Sequence, residues 1–209
     1  MGQVPENTVF SEDQLDQFQQ SGWLTYDHFI SDQTALQIRE FILSKSVGGA
    51  LRRAAIGRSD QLRIATEQRG DFIEWVDPSH APEPVTEFFN RMDEVVTILN
   101  RSFFLGLRSL ESHYTCYPEN TRYERHSDRH KSGSSRVVSF VLYLNPEWEP
   151  EHGGKLAIYL AEKETVRIEP TFGRLALFLS ELEHEVERTE KPRISITGWL
   201  RNEIELEPN

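Results

Sequence analysis

Apolar residues recur at three- and four-residue steps through "PVTEFFNRMDEVVTILNRSF", where Val85, Phe88, Phe89, Met92, Val95, Val96, Leu99 and Phe103 fall on one stripe. That period predicts an amphipathic helix packed by one face. Two shorter helices are expected before it. Ser11 precedes the first, with Gln14 three residues on as in a capping box and Gly22 at its end. Ser31 opens the second, with Ala35, Ile38, Phe41 and Ile42 on one face and "VGG" at its close.

After residue 107 the pattern changes. "SLESHYTCY", "RVVSFVLYLN", "KLAIYL", "GRLALFLS", "HEVERT" and "RISITGWL" are short runs rich in β-branched and aromatic residues and read as strands. "NPEWEPEHGG" and "EPTFG" read as turns between them. Helices first and strands after predict an α+β chain, mainly β, in which antiparallel sheets close as a jelly roll buttressed by N-terminal helices. A single domain over residues 1–209 is expected, with helical support at about 10–104 and a jelly-roll core at about 107–201.

Charge and cysteine usage narrow the setting. The 34 acidic residues against 23 basic ones leave a formal charge of −11, which repels a phosphate backbone and makes nucleic acid a disfavoured partner. Cys116 is the only cysteine, so no intramolecular disulfide can form and a reducing, cytoplasmic compartment is expected. No apolar run approaches the ~20 residues of a membrane span, and "MGQVPENTVF" carries no basic-then-apolar leader.

Candidate chemistry concentrates in "RYERHSDRH". On a strand, His126 and Asp128 lie two apart and project to the same side. His130 is in phase but runs into the turn-like "KSGSS" and ranks below His126. Were the segment helical, His126 and His130 would pair, yet Ser127 stands where a zinc peptidase carries Glu. A third ligand must come from His113, His152 or His184, and His184, just after "GRLALFLS", is best placed. Two His and one carboxylate leave coordination positions open, as in non-haem Fe(II) oxygenases. A closed zinc site would need a fourth ligand, and Cys116 belongs to no cysteine pair.

Arg193 shares one strand face with Ser195, Thr197 and Trp199, opposite the apolar Ile194, Ile196 and Leu200. Its planar fork suits a carboxylate, to which Thr197 and the Tyr143 hydroxyl could also donate. The alternative is an exposed pair between Arg193 and Glu190. The basic cluster Arg122, Arg125, Arg129, Lys131 and Arg136 reads as a solvated loop, or as an attractor for an acidic peptide.

With these residues in place, the chain resembles the 2-oxoglutarate- and iron(II)-dependent prolyl hydroxylases, above all the oxygen-sensing Egl-nine branch and its bacterial relatives. "RGDFIEWVD", "CYPENTRYERHSD", "YLNPEW", "GGKLAIY" and "HEVERTEKPRISITGW" occur in the family's order. The resemblance implies a distorted double-stranded β-helix, with Fe(II) held by His126, Asp128 and His184 and O2 as oxidant. It implies that Arg193 binds the 2-oxoglutarate C5 carboxylate, with Tyr143 and Thr197 beside it and Tyr117 lining the pocket. Arg69 and Asp71 would belong to a mobile loop over the substrate, and Arg136 and Trp199 would flank its entrance. The implied reaction is C4 hydroxylation of a prolyl residue in a protein, giving succinate and CO2, with ascorbate as reductant. A bacterial-type member would point to a translation factor such as elongation factor Tu as partner, and an animal-type member to the hypoxia-inducible factor. Other readings are a 2-oxoglutarate oxygenase acting on another side chain, a free amino acid or a small molecule, and a catalytically silent jelly-roll binding module.

Overall fold

In the computed structural model, which describes residues 9–54, 68–129, 134–160 and 164–203, the capping box at Ser11 is formed. The Gln14 N–H donates to the Ser11 hydroxyl at 3.2 Å and the Ser11 N–H donates to the Gln14 side chain at 2.9 Å, which starts α1 (Glu12–Ser21). Gly22 ends it in the left-handed region, at φ 73°. Ser31 caps α2 (Asp32–Val47), and the long stripe forms α3 (Glu83–Phe103). Val85, Phe88, Met92, Val95 and Leu99 are fully buried along α3, each contributing about 2 kcal/mol on leaving water.

The strands are β1 (Trp23–Tyr26), β2 (Arg52–Arg53), β3 (Phe72–Trp75), β4 (Ser109–Tyr117), β5 (Tyr123–His126), β6 (Arg136–Tyr143), β7 (Leu156–Tyr159), β8 (Thr165–Ile168), β9 (Leu175–Leu179), β10 (Glu183–Val186) and β11 (Arg193–Arg201). They form a seven-stranded sheet in the order β1-β9-β6-β11-β4-β3-β2 and a four-stranded sheet in the order β5-β10-β7-β8. Every pairing is antiparallel. This is the mainly β, helix-buttressed jelly roll that the sequence predicts.

Side-chain alternation assigns the two faces of the large sheet. Val138, Phe140 and Leu142 of β6 and Ile194, Ile196 and Leu200 of β11 join the helices in the main core. Val141 and Tyr143 turn the other way, into a second core with Leu156, Ile158, Ile168, Ala176 and Phe178. Both faces are covered, so "RVVSFVLY" reads as an almost unbroken apolar run.

The helical support is not purely helical. β1, β2 and β3 lie inside it and extend the large sheet at its two ends. These strands, like β8, have no more than four residues each, too few for a period of two to separate from chance. His130 and Lys131 lie outside the described residues.

Candidate active site

β10 pairs with β5 so that His184 stands directly opposite His126. β5 ends at His126, so Asp128 is not carried on the strand as the two-residue spacing suggested. The bend after β5 delivers it instead, held by a hydrogen bond from its N–H to the Ser180 carbonyl at 3.0 Å. The outcome is the same convergence. One ligand atom from each of His126, Asp128 and His184 lies within 4.8 Å of the others. The His126 and His184 Nε2 atoms are 3.7 and 3.5 Å from the two Asp128 oxygens.

Both imidazoles are held through Nδ1. His126 Nδ1 is 2.7 Å from the Glu124 carbonyl and His184 Nδ1 is 3.0 Å from the Leu182 carbonyl. A carbonyl only accepts, so each Nδ1 carries a proton and each Nε2 is the ring nitrogen left facing the cluster. Burial, helped by the neighbouring His184 ring, pulls the His126 pKa down to about 4, so this ring is neutral near pH 7. Burial would raise the Asp128 pKa, but the two imidazoles, the Ser139 hydroxyl and the approaching Trp199 indole outweigh it and hold it below the usual carboxylate value. Two imidazoles and one carboxylate could hold a divalent transition metal with open positions, and this donor set fits Fe(II).

Arg193 supplies a second feature. It is 1% exposed, its Nε has no hydrogen-bond partner, and among the described residues no carboxylate oxygen lies within ion-pairing distance. Its guanidinium carbon sits 5.1 Å from the Tyr117 ring centre and 5.0 Å from that of Tyr143. The fully buried Tyr143 hydroxyl approaches the guanidinium without closing a hydrogen bond. Burial raises the pKa of both phenols, so they stay neutral and cannot compensate the cation. Gly154, at φ 64°, leaves room for the arginine stem, because a Cβ there would stand 3.1 Å from Arg193 Cδ. A buried cation without a counter-ion is costly, and an orphan phenol beside it matches a carboxylate ligand. The exposed pairing with Glu190 is not what the fold makes. Thr197 is half-buried on the same strand face, its hydroxyl 3.3 Å from that of Ser195.

The wall beside the His-Asp-His cluster is aromatic and ionic. Tyr123 stacks on His126 with ring centres 3.7 Å apart, and Arg69 lies over Tyr123 at 4.6 Å. Arg69 grips Asp71 through two hydrogen bonds of 2.7 and 3.0 Å, and Asp71 is buried. Arg136 stacks on Trp199 at 3.5 Å while bonding Glu111 at 2.6 Å. Trp199 also meets His113 and the exposed Trp75.

The remaining sequence candidates take other roles. His113 is buried with Nδ1 2.8 Å from the Thr115 hydroxyl, and His152 accepts the Glu149 N–H in a 3-10 turn, so neither joins the cluster. Arg122, Arg125 and Arg129 pair with Glu124, Glu183 and Glu181, which favours the solvated-loop reading of the basic stretch. Sequence reasoning missed Tyr123, Ser139 and Ser180. Ser139 did leave a trace, since a lone hydroxyl inside an apolar, doubly covered strand needs a buried partner.

His113 also makes the wall sensitive to acid. Burial, with Arg69 nearby, lowers its pKa from 6.5 to about 4. Below 6.5 the unfolded chain therefore binds a proton that the fold refuses, and stability falls as pH drops toward 4. The loss between about pH 7 and about pH 4.5 should reach about 2–3 kcal/mol. His113→Gln should remove that part of the slope in metal-free protein, measured by urea unfolding at both pH values.

Comparison with known proteins agrees with this geometry. The 2OG-Fe(II) oxygenase superfamily matches residues 112–201. A prolyl-4-hydroxylase from Pseudomonas putida is 34% identical, with a TM-score of 0.82 over 92% of this chain and 98% of that one. A Trichoplax adhaerens prolyl hydroxylase, solved with a hypoxia inducible factor oxygen degradation domain peptide, is 26% identical, with a TM-score of 0.82 over 90% of this chain and 87% of that one. Human Egl nine homolog 1 is 29% identical over 85% of this chain, which spans only 43% of that relative. A buried His-Asp-His cluster beside an uncompensated arginine, set in a fold shared with the Pseudomonas enzyme, agrees with what that relative shows, that the chain belongs to the prolyl 4-hydroxylase family of 2-oxoglutarate- and Fe(II)-dependent oxygenases.

Proposed function

We propose that this chain uses Fe(II), 2-oxoglutarate and O2 to hydroxylate C4 of a prolyl residue in a protein substrate. The observation that carries the reading is the buried, uncompensated Arg193 guanidinium in a fold that also builds an open His-Asp-His cluster. His126, Asp128 and His184 would hold the metal. Arg193 would take the C5 carboxylate of 2-oxoglutarate in its fork, with the Tyr143 hydroxyl donating to it, Thr197 beside it and Tyr117 forming the wall.

When bound, the metal and co-substrate supply the oxidising chemistry: O2 is split between succinate, formed with loss of CO2, and the new prolyl hydroxyl. The protein's own contribution is positional and electrostatic. The Nδ1–carbonyl bonds keep both Nε2 atoms aimed at the cluster. Tyr143 and Tyr117 bury the carboxylate site, so that Arg193 acts at low dielectric where its charge is felt most. Arg69, Asp71, Arg136 and Trp199 would border the entrance for the peptide, and the peptide-bound Trichoplax structure supports a substrate of that kind.

Elongation factor Tu is the partner to test first, ascorbate is the reductant, and the cytoplasm is the compartment that suits a chain with one cysteine. Among the described residues no helix is long and apolar enough to cross a membrane. The test is incubation of purified protein with Fe(II), 2-oxoglutarate, ascorbate and a cell extract, followed by peptide mass spectrometry. A prolyl peptide heavier by one oxygen, with matching succinate, is expected. Succinate release tied to a small molecule, with no modified peptide, would overturn the prolyl assignment, and no substrate-dependent succinate at all would point to a silent binding module.

A further inference from the structure

Asp128 offers two oxygens to the cluster, and the fold treats them differently. The Ser139 hydroxyl donates to Asp128 Oδ2 at 2.7 Å, and the Ser180 hydroxyl lies 2.9 Å from that of Ser139. Both serines are buried, at 1% and 0% exposed, on or next to strands that meet in the large sheet. Ser139 has one proton, and an ionised carboxylate can only accept, so that proton goes to Asp128. In the serine pair the donor must then be Ser180. The proton chain runs Ser180 to Ser139 to Asp128, each bond polarising the next.

Ser180 holds the same segment a second way. Its carbonyl accepts the N–H groups of Asp128 at 3.0 Å and Arg129 at 2.9 Å, while its own N–H bonds the Val137 carbonyl at 3.0 Å. Backbone and side chain of Asp128 are therefore both tied to a residue that follows β9 directly.

We propose that Ser139, supported by Ser180, is the positioning residue that holds the Asp128 carboxylate in its orientation toward the two imidazoles, through the hydrogen bond to Oδ2. This rests on the metal-site reading above. Ser139 would not touch substrate or reacting atoms, so its effect belongs in metal affinity.

The experiment is titration of the folded 209-residue chain with Mn(II) alone, followed by electron paramagnetic resonance, for wild type, Ser139→Ala, Ser139→Thr, Ser180→Ala and His184→Ala. Loss of an outer-shell partner of a metal ligand typically weakens binding ~10–100-fold, and Ser139→Ala should fall in that range. Ser139→Thr keeps the hydroxyl and should bind as wild type does. Ser180→Ala leaves the Ser139 proton on Asp128 and should lose less than Ser139→Ala. Ser139→Cys, close in volume but a weak donor, answers the same question if the alanine variant does not fold. Unchanged Mn(II) affinity in Ser139→Ala or Ser139→Cys, with His184→Ala still crippled, overturns the positioning role and leaves the metal site standing. Equal affinity in wild type and His184→Ala overturns the metal site itself and the proposal with it.

Discussion

Arg193→Ala should weaken 2-oxoglutarate binding by about 2–5 kcal/mol, roughly tens- to thousands-fold in Kd, while leaving Mn(II) binding intact. The size follows from the surroundings of the guanidinium. It is buried against Tyr117 and Tyr143, with no carboxylate of the chain in ion-pairing reach among the described residues, so a bound C5 carboxylate would be its main charged partner. Arg193→Lys should recover only part of the loss, since an ammonium keeps the charge without the planar fork. The same reasoning predicts an opposite effect on the free protein. An unpaired buried charge opposes folding, so Arg193→Met should leave the ligand-free chain at least as stable as wild type. Thermal unfolding with and without 2-oxoglutarate reads both effects, because a ligand that binds only the native state raises Tm by an amount that grows with the logarithm of its affinity. Full activity of Arg193→Ala at low 2-oxoglutarate would remove Arg193 from the site.

Asp128→Ala should abolish turnover and weaken metal binding by more than the ~10–100-fold expected for an outer-shell loss, because it would delete the one anionic group of the proposed ligand set. Asp128 carries three duties at once. It faces both Nε2 atoms, accepts the Ser139 proton, and stays ionised because the imidazoles and that hydroxyl outweigh the cost of burial. With Ala in its place, two imidazoles remain and the Ser180–Ser139 chain has no acceptor at its end. Asp128→Asn keeps the shape, loses the charge, and should fail similarly in turnover while disturbing the fold less. An Asp128→Ala protein with undiminished iron affinity and turnover would exclude this residue from the cluster.

The two losses are separable. Arg193 should act on the co-substrate with the metal in place, and Asp128 on the metal itself, so Mn(II) affinity distinguishes them.

Much of the fold was legible in local chemistry. The capping box at Ser11, the stop at Gly22 and the α3 stripe depend on hydrogen bonds and periodicities that close within a few residues. β4 was read with its exact bounds, and β6 and β11 start where they were expected, because long strands show their alternation or their doubly buried run in the sequence. β1, β3 and β8 escaped because four residues gain their strand conformation from a distant partner.

The sequence by itself determined the residue types of the candidate ligands, the polar face of β11 and the helix-then-strand order, since these depend on residue identity and short spacing. Only the tertiary structure decided that His184, and neither His113 nor His152, completes the cluster, that Asp128 arrives by a bend held by Ser180, and that Arg193 is buried without a counter-ion. The reason is range: pairing β10 with β5 brings together residues 58 positions apart, and no local period records which imidazole a sheet register will place opposite another.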